Sequence, residues 1–209
     1  MPYYPINLNL RNRKCVVIGG GTVAERKVKT LLKFGATVVV VSPELSIGLQ
    51  EMLSRKQITH MASDYDPRYL REALLVIAAT ADRQINQTVA LEADSHNILV
   101  NVVDDPELCT FFVPAIACRG DVVIGVSTSG KSPALARRIR EQVESYFGLE
   151  YSLLADLLGE LRDEVKGRYS DTNERNQAFV RVLDSDVLEL LAQGHVAEAR
   201  EKARQCLQG

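Results

Sequence analysis

Three consecutive glycines, Gly19, Gly20 and Gly21, stand between a run of small and β-branched residues, CVVIG at 15–19, and a segment with helical spacing. Such a corner needs bare backbone, and few folds place one between a first strand and a first helix. Gly19 to Ala24 match the spacing G-x-G-x-x-G/A, which between a strand and a helix is a phosphate-binding turn. In that reading Gly19 permits the sharp turn, Gly21 lets a pyrophosphate approach the main chain, and Ala24 lets the helix pack closely on the strand. The helix start then offers unpaired N–H groups and a positive dipole end to the phosphates. On the letters alone, a ligand-free turn is the alternative. Strand, turn and helix agree here, so nucleotide binding is the expectation.

The rest of the N-terminal half extends this pattern. CVVIG (15–19), TVVVVS (37–42), ITHMAS (58–63), LLVIAAT (74–80) and ILVNVV (98–103) read as strands. Four of them are apolar enough for burial on both faces of a parallel sheet. Val28, Leu31 and Leu32 form one helical stripe, with Gly35 placed for a left-handed cap. Leu45, Leu49, Met52 and Leu53 form a second, and Ile85, Val89 and Ala93 a third. Repeated strand-helix-strand units predict right-handed crossovers and an α/β class, a Rossmann-like parallel sheet.

After residue 104 the alternation stops. TFFVPAIACRGDVVIGVSTS reads as two strands around Arg119-Gly120-Asp121. SGKSPALARRIREQVESYFG follows, with Ser132 as helix cap, Pro133 at the first helical position and Gly148 at the far end. The remainder reads as helical, with Leu153, Leu154, Leu157, Leu158 and Leu161 on one broad face. Boundaries near 113–116 and 148 divide the chain into 1–113, a small α+β segment at 114–147, and a helical domain at 148–209. Short helices rarely make a core alone, so packing against a second copy is expected.

The choice of nucleotide turns on the end of the second strand. Ser42, Pro43 and Glu44 stand there, and an acid at that place disfavours a 2′-phosphate, so NAD is preferred over NADP. Glu44 reads equally as an ordinary first-turn acid of the next helix. In open α/β sheets chemistry lies beyond the carboxyl ends of the strands. At those ends Ala78, Ala79 and Thr80 would let a nicotinamide lie close to the sheet, and Asn101 and Asp104 supply polar groups beside it. Asp104 is the first candidate for proton transfer, with a simple turn cap before Pro106 as its alternative reading. Farther on, Ser127, Thr128, Ser129, Lys131 and the next helix start make an anion-receiving corner, continued by Arg137, Arg138 and Arg140. Taken alone, that corner reads as a well-capped helix with solvated arginines.

Composition limits the partners. A hydrophobic content of 46% supports a real core, and a net charge of -2 offers no general attraction to nucleic acid or an anionic membrane. Neither is expected as a partner. No apolar run reaches the ~20 residues needed to span a bilayer, and MPYYPINLNLRNRK lacks a signal peptide's apolar core. Cys15, Cys109, Cys118 and Cys206 are scattered without a C-x-x-C pair, and His60, His96 and His195 read as structural, so no metal site is expected. A reducing cytoplasm is the expected compartment.

The ordered set YYPINLNLRNRKCVVIGGGTVAERK, AAT, NVVDDPE, FFVPA and VSTSGKSPALARRIRE closely resembles precorrin-2 dehydrogenase, the dehydrogenase/ferrochelatase unit of siroheme synthases. The likeness runs from about residue 3 to 147 and more loosely through the tail. It implies NAD-dependent oxidation of precorrin-2 to sirohydrochlorin and, in bifunctional members, insertion of ferrous iron as a further substrate. It implies nucleotide contacts at Thr22, Val23, Pro43 and Glu44, and a role for Asp104 in dehydrogenation and chelation. Thr128 falls where some relatives carry a serine that can be phosphorylated. A homodimer embracing through the middle and helical segments is implied, and the methyltransferase of fused members is expected to be absent. Precorrin-2 is fringed with carboxylates, so Lys131, Arg138 and Arg119 are expected to help hold it. Three rivals share parts of the pattern: a regulatory NAD-sensing module, a methyltransferase using the glycine turn for S-adenosylmethionine, and a chelatase without oxidation.

Overall fold

The computed structural model describes residues 3–208 and divides between Val113 and Pro114 into two compact units. In the first, β1 (Lys14–Ile18), β2 (Thr37–Val41), β3 (Ile58–Met61), β4 (Leu75–Ala78) and β5 (Leu99–Val102) form one parallel sheet in the order β3-β2-β1-β4-β5. Helices α1 (Thr22–Lys33), α2 (Ile47–Ser54) and α3 (Arg83–Ser95) make the crossovers. Between β3 and β4 there is only a turn of 3-10 helix, Pro67–Leu70, begun by the Asp66 carboxylate accepting from the Arg68 N–H at 2.9 Å. That stretch carries no helical stripe, and Pro67 fits a short turn better than a long helix.

Side chains alternate across the pleat, so consecutive valines serve opposite faces. Cys15, Val17, Val38, Val40, Leu75 and Ile77 pack with Ala24, Val28 and Leu31 of α1 and Leu49 and Met52 of α2. Val16, Ile18, Val39, Val41, Val76 and Ala78 pack on the other side with Val89, Ala90 and Ala93 of α3. Burying a valine or isoleucine side chain contributes about 1.5–3 kcal/mol, which is why a run such as TVVVV commits to a two-faced sheet. Each strand ends one or two residues earlier than its apolar run. The surplus residues, Gly19, Ser42, Ala62, Ser63, Ala79, Thr80 and Val103, become the loops along the carboxyl edge.

The β5 edge is not left bare. Residues 109–111 double back along it: Thr110 N–H donates to the Val100 carbonyl at 2.9 Å, and Val100 N–H donates to Thr110 Oγ1 at 2.8 Å. The stretch that reads as a strand from Thr110 therefore begins as an edge cover, and β6 starts only at Ala115.

In the second unit β6 (Ala115–Arg119) and β7 (Val122–Val126) form an antiparallel hairpin, with Arg119 opposite Val122. Helix α4 (Pro133–Tyr146) follows, then α5 (Glu150–Glu160), α6 (Arg162–Arg168), α7 (Thr172–Leu183), α8 (Val187–Ala192) and α9 (Val196–Cys206). Contrary to the expectation that these short helices lack a core, α5 to α9 bury Leu154, Leu157, Leu161, Val165, Val182, Val187 and Leu191 together. Ala178, Ala199 and Ala203, all fully buried, let the helices come close enough to share it. Leu158 is only partly buried and Leu153 is exposed, so the predicted five-leucine face divides between core and surface. No helix among the described residues is long and apolar enough to cross a membrane, and all four cysteines are free.

Candidate functional site

The three glycines play three different parts. Gly19 has φ +119°, and a Cβ there would strike the Ala79 carbonyl oxygen and lie 2.8 Å from its carbon. A side chain is excluded by both torsion and space. At Gly20 a Cβ would run into the Glu44 carbonyl oxygen and lie 2.7 Å from Ser42 Oγ. The turn is thus clasped between the ends of β4 and β2. Gly21 differs: a Cβ there meets nothing within 4 Å. It is the helix cap of α1 with no side chain bonded to the first-turn N–H groups, so open space adjoins donors that need an acceptor. Those features fit a dinucleotide pyrophosphate. Thr22 and Val23 follow at the exposed start of the helix, while Ala24 is fully buried beneath it.

The end of β2 is braced from several directions. Gly19 N–H donates to the Val41 carbonyl at 2.9 Å, and Ser46 N–H donates to the Gly20 carbonyl at 2.7 Å. Buried Ser42 donates from Oγ to the Glu44 carbonyl at 2.7 Å, and His60 Nε2, 2.8 Å from the Ser42 carbonyl, can only be donating to it. Glu25 of α1 accepts from Ser46 Oγ at 2.7 Å and from Lys29 Nζ at 2.6 Å. Those two bonds, Lys29 first, hold its carboxyl below the usual glutamate range. Ser46 in turn caps α2, accepting from Leu49 N–H at 3.3 Å. Pro43 and Glu44 remain exposed on this braced loop, free to meet a ribose. Sequence reading missed Glu25 and Ser46 as a pair because nothing in a separation of 21 residues marks them as partners.

At the β4 end Thr80 is locked by α3. Its hydroxyl lies 2.8 Å from Asn86 Oδ1 and 2.9 Å from the Asp82 carbonyl, while Asn86 Nδ2 donates to the Thr80 carbonyl at 3.1 Å. Asn86 is buried, and a buried amide in a helix otherwise read for its apolar stripe was the available clue. Ala78 and Ala79 present no bulk beside Gly19, leaving a shallow edge at the β1/β4 switch point.

The β5 end carries the expected chemical group. Asp104 is exposed and sits at φ +60°, a left-handed conformation that aspartate tolerates better than most residues. Asp105 is engaged elsewhere, with Arg83 at 3.4 Å. Asn101, expected beside the substrate, is instead buried and donates from Nδ2 to the Phe111 carbonyl at 3.1 Å, so it shapes the return segment. Cys109 lies at the centre of this turn. Burial pushes its thiol up, opposed by the Val102 N–H that points at it. Lys27 of α1 is half-buried near both groups: burial, then Arg26, push its ammonium down, while Cys109 and Asp104 draw it back up.

The second unit holds the anion-receiving corner. Thr128 Oγ1 donates to the Ser132 carbonyl at 3.1 Å and accepts from Ser132 N–H at 3.0 Å, and Ser132 Oγ caps α4 by accepting from Leu135 N–H at 3.2 Å. Ser129 and Gly130 are both left-handed, at φ 53° and 81°. Lys131 and Arg138 are exposed, and no ion pair joins either among the described residues, whereas Arg137 pairs with Glu141 at 2.9 Å and Arg140 with Glu144. Arg119, expected to hold substrate, is turned inward. It donates to the Glu144 carbonyl at 2.8 Å and the Cys118 carbonyl at 2.9 Å, tying the hairpin to the end of α4.

A family model described as "Putative NAD(P)-binding" matches residues 6–115. Models described as "Sirohaem biosynthesis protein central" and "Sirohaem synthase dimerisation region" match 119–146 and 150–207. The siroheme synthase of Methylobacillus flagellatus is 43% identical over 209 residues, 100% of this chain and 45% of that protein. The siroheme synthase of Nitrosomonas europaea is 37% identical over 209 residues, 100% of this chain and 44% of that one. The chain therefore spans less than half the length of these relatives. Among solved structures, SirC, a precorrin-2 dehydrogenase, superposes with a TM-score of 0.77 at 27% identity, over 96% of this chain and 100% of that one.

Proposed function

The chain belongs to this NAD(P)-binding family, and we propose from that premise that it oxidises precorrin-2 to sirohydrochlorin with NAD in siroheme biosynthesis. One observation carries the reading: a dinucleotide-shaped turn and an exposed carboxylate share one edge of one sheet. Asp104 stands at the end of β5, two strands from the glycine turn that follows β1. At one strand spacing each, that is about 10 Å along the carboxyl edge.

The division of labour follows from the residues. The α1 start and Gly21 hold the pyrophosphate, and Pro43 and Glu44 meet the adenine ribose, the acid selecting NAD against a 2′-phosphate. Thr80, locked by Asn86, fixes the floor beneath the nicotinamide. When bound, NAD supplies the hydride acceptor. Asp104 is positioned to take the proton released as the macrocycle is oxidised, so that oxidised substrate, NADH and a proton balance the reaction. Lys131 and Arg138, without an ion-pair partner among the described residues, are the cations proposed to meet the substrate's carboxylates, beside Thr128 in the same corner. Exposed Leu149, Leu153, Val180 and Leu183, within and beside the dimerisation match, support a homodimer.

Anaerobic mixing of the protein with precorrin-2 and NAD tests the reading. NADH should appear in step with sirohydrochlorin, and its absence alongside intact NAD binding would point to a regulatory module. Ferrous iron added after oxidation tests it as a second substrate through the macrocycle's spectrum.

A further inference from the structure

Asp104 is a non-glycine residue in a left-handed conformation at the exposed end of an edge strand. Such a conformation costs on the order of 1–3 kcal/mol and persists only where the surroundings fix it. The carboxylate itself has no partner among the described residues that would do so, so the restraint must reach the backbone on either side.

Val103 N–H donates to the Ala78 carbonyl at 2.9 Å on one side and Asp105 pairs with Arg83 at 3.4 Å on the other, but the Cys109 side chain alone touches both. Val102 N–H, two residues before Asp104, points at Cys109 Sγ from 3.1 Å. The thiol lies 3.3 Å from the Val102 carbonyl and 3.3 Å from the Asp105 carbonyl, one residue after Asp104. Asn101 Nδ2 approaches it at 3.6 Å. One sulfur therefore touches the chain before and after the turn and satisfies the free side of the last β5 residue. A thiol has one weak donor and a weak acceptor, and its long C–S bonds let it span both carbonyls. Burial, then Arg26, push the ammonium of Lys27 in α1 down, and Cys109 and Asp104 draw it back up.

We propose that Cys109 is a positioning residue for Asp104, its thiol stapling Val102 to Asp105 so that the carboxylate is presented to the substrate at a fixed height above the sheet. The proposal rests on the reading of Asp104 as the proton acceptor. Misplacing a reacting group by about 1 Å can cost on the order of a hundredfold in rate. Removing the staple should therefore slow chemistry without touching the glycine turn.

The test compares Cys109→Ala, Cys109→Ser and Asp104→Ala in the full chain. Cys109→Ala should lower kcat for NADH formation roughly 10- to 100-fold with the Kd for NAD within about twofold of wild type. Cys109→Ser, which keeps a donor and an acceptor, should recover much of that loss, and Cys109→Ala should add nothing in the Asp104→Ala background. Wild-type kcat in Cys109→Ala with Asp104→Ala inactive would overturn this inference alone. Wild-type rates in Asp104→Ala would overturn the functional reading beneath it. Amide hydrogen exchange decides independently of turnover: Val102 should lose protection in Cys109→Ala, and unchanged protection there would sink the staple.

Discussion

The parallel sheet buries Val16, Val17, Val40 and Val76 to complete exclusion from solvent, whereas the hairpin and α4 that follow bury only Ala117 and Ala136. Both stretches hold residues proposed to bind ligands, yet one has a core on each face and the other has almost none. In the sheet unit the glycine turn, the Ser42–Glu44 loop and Thr80 are fixed by folding itself, each braced by bonds to a buried neighbour. Groups held in this way are preorganised for the nucleotide that the turn is proposed to bind. The hairpin and α4 instead expose Val123 and Leu135, and Lys131 and Arg138 have no ion-pair partner among the described residues, as on a surface that is completed by what it meets. The contrast teaches that cofactor binding should survive damage to the second unit, while substrate binding should not.

Breaking the sheet's carboxyl edge should give the largest effects. Asp104→Ala is expected to lose about 10²- to 10⁴-fold in turnover while NAD still binds, measured by initial rates beside a titration. Gly19→Ala forces a side chain into φ +119° against the Ala79 carbonyl and should cost roughly 1–3 kcal/mol, read as a lowered Tm together with weakened NAD binding. In the second unit, Lys131→Glu combined with Arg138→Glu should raise KM for precorrin-2 about tenfold or more and leave the Kd for NAD unchanged. Equal loss of both would erase the distinction between the regions.

The smallest effect sharpens the comparison through pH. Glu25 has a folded pKa held below its ordinary value of 4.5 by Lys29 and Ser46. A carboxyl depressed in the folded state stabilises above its unfolded pKa, and that contribution disappears as pH falls through the folded value. Wild type should therefore exceed Glu25→Gln in Tm by a constant margin above about pH 4.5, with the margin closing below it. A margin that widened in acid would contradict the brace between α1 and the start of α2.

Legibility tracked the physical origin of each feature. Runs such as TVVVV announce burial on both faces, and the glycine corner could be placed because a strand and a helix flank it. The β3–β4 connection was less readable, since the absence of a stripe does not say what replaces a helix. Asn101 looked like a site group at a strand end, but the pleat turns it toward Phe111, and strand parity alone did not reveal that neighbour. Arg119 carries a charge suited to an acidic ligand and spends it on the carbonyl of Glu144. The core of the helical tail is not legible in the sequence because Ala178, Ala199 and Ala203 have the letters of ordinary helix formers, and only the packed structure shows them buried in it. Cys109 belongs to no pairing motif, and the role of staple proposed for it needs no second cysteine.

The claim that the glycine turn holds NAD is tested most directly by titrating the dinucleotide into wild type and Gly21→Val in a calorimeter. A side chain at Gly21 meets nothing within 4 Å in the folded chain, at φ -82°, so the substitution should leave Tm nearly unchanged. Saturable NAD uptake by wild type and its loss in Gly21→Val is the predicted result. Equal uptake by both proteins, or none by wild type, would contradict it.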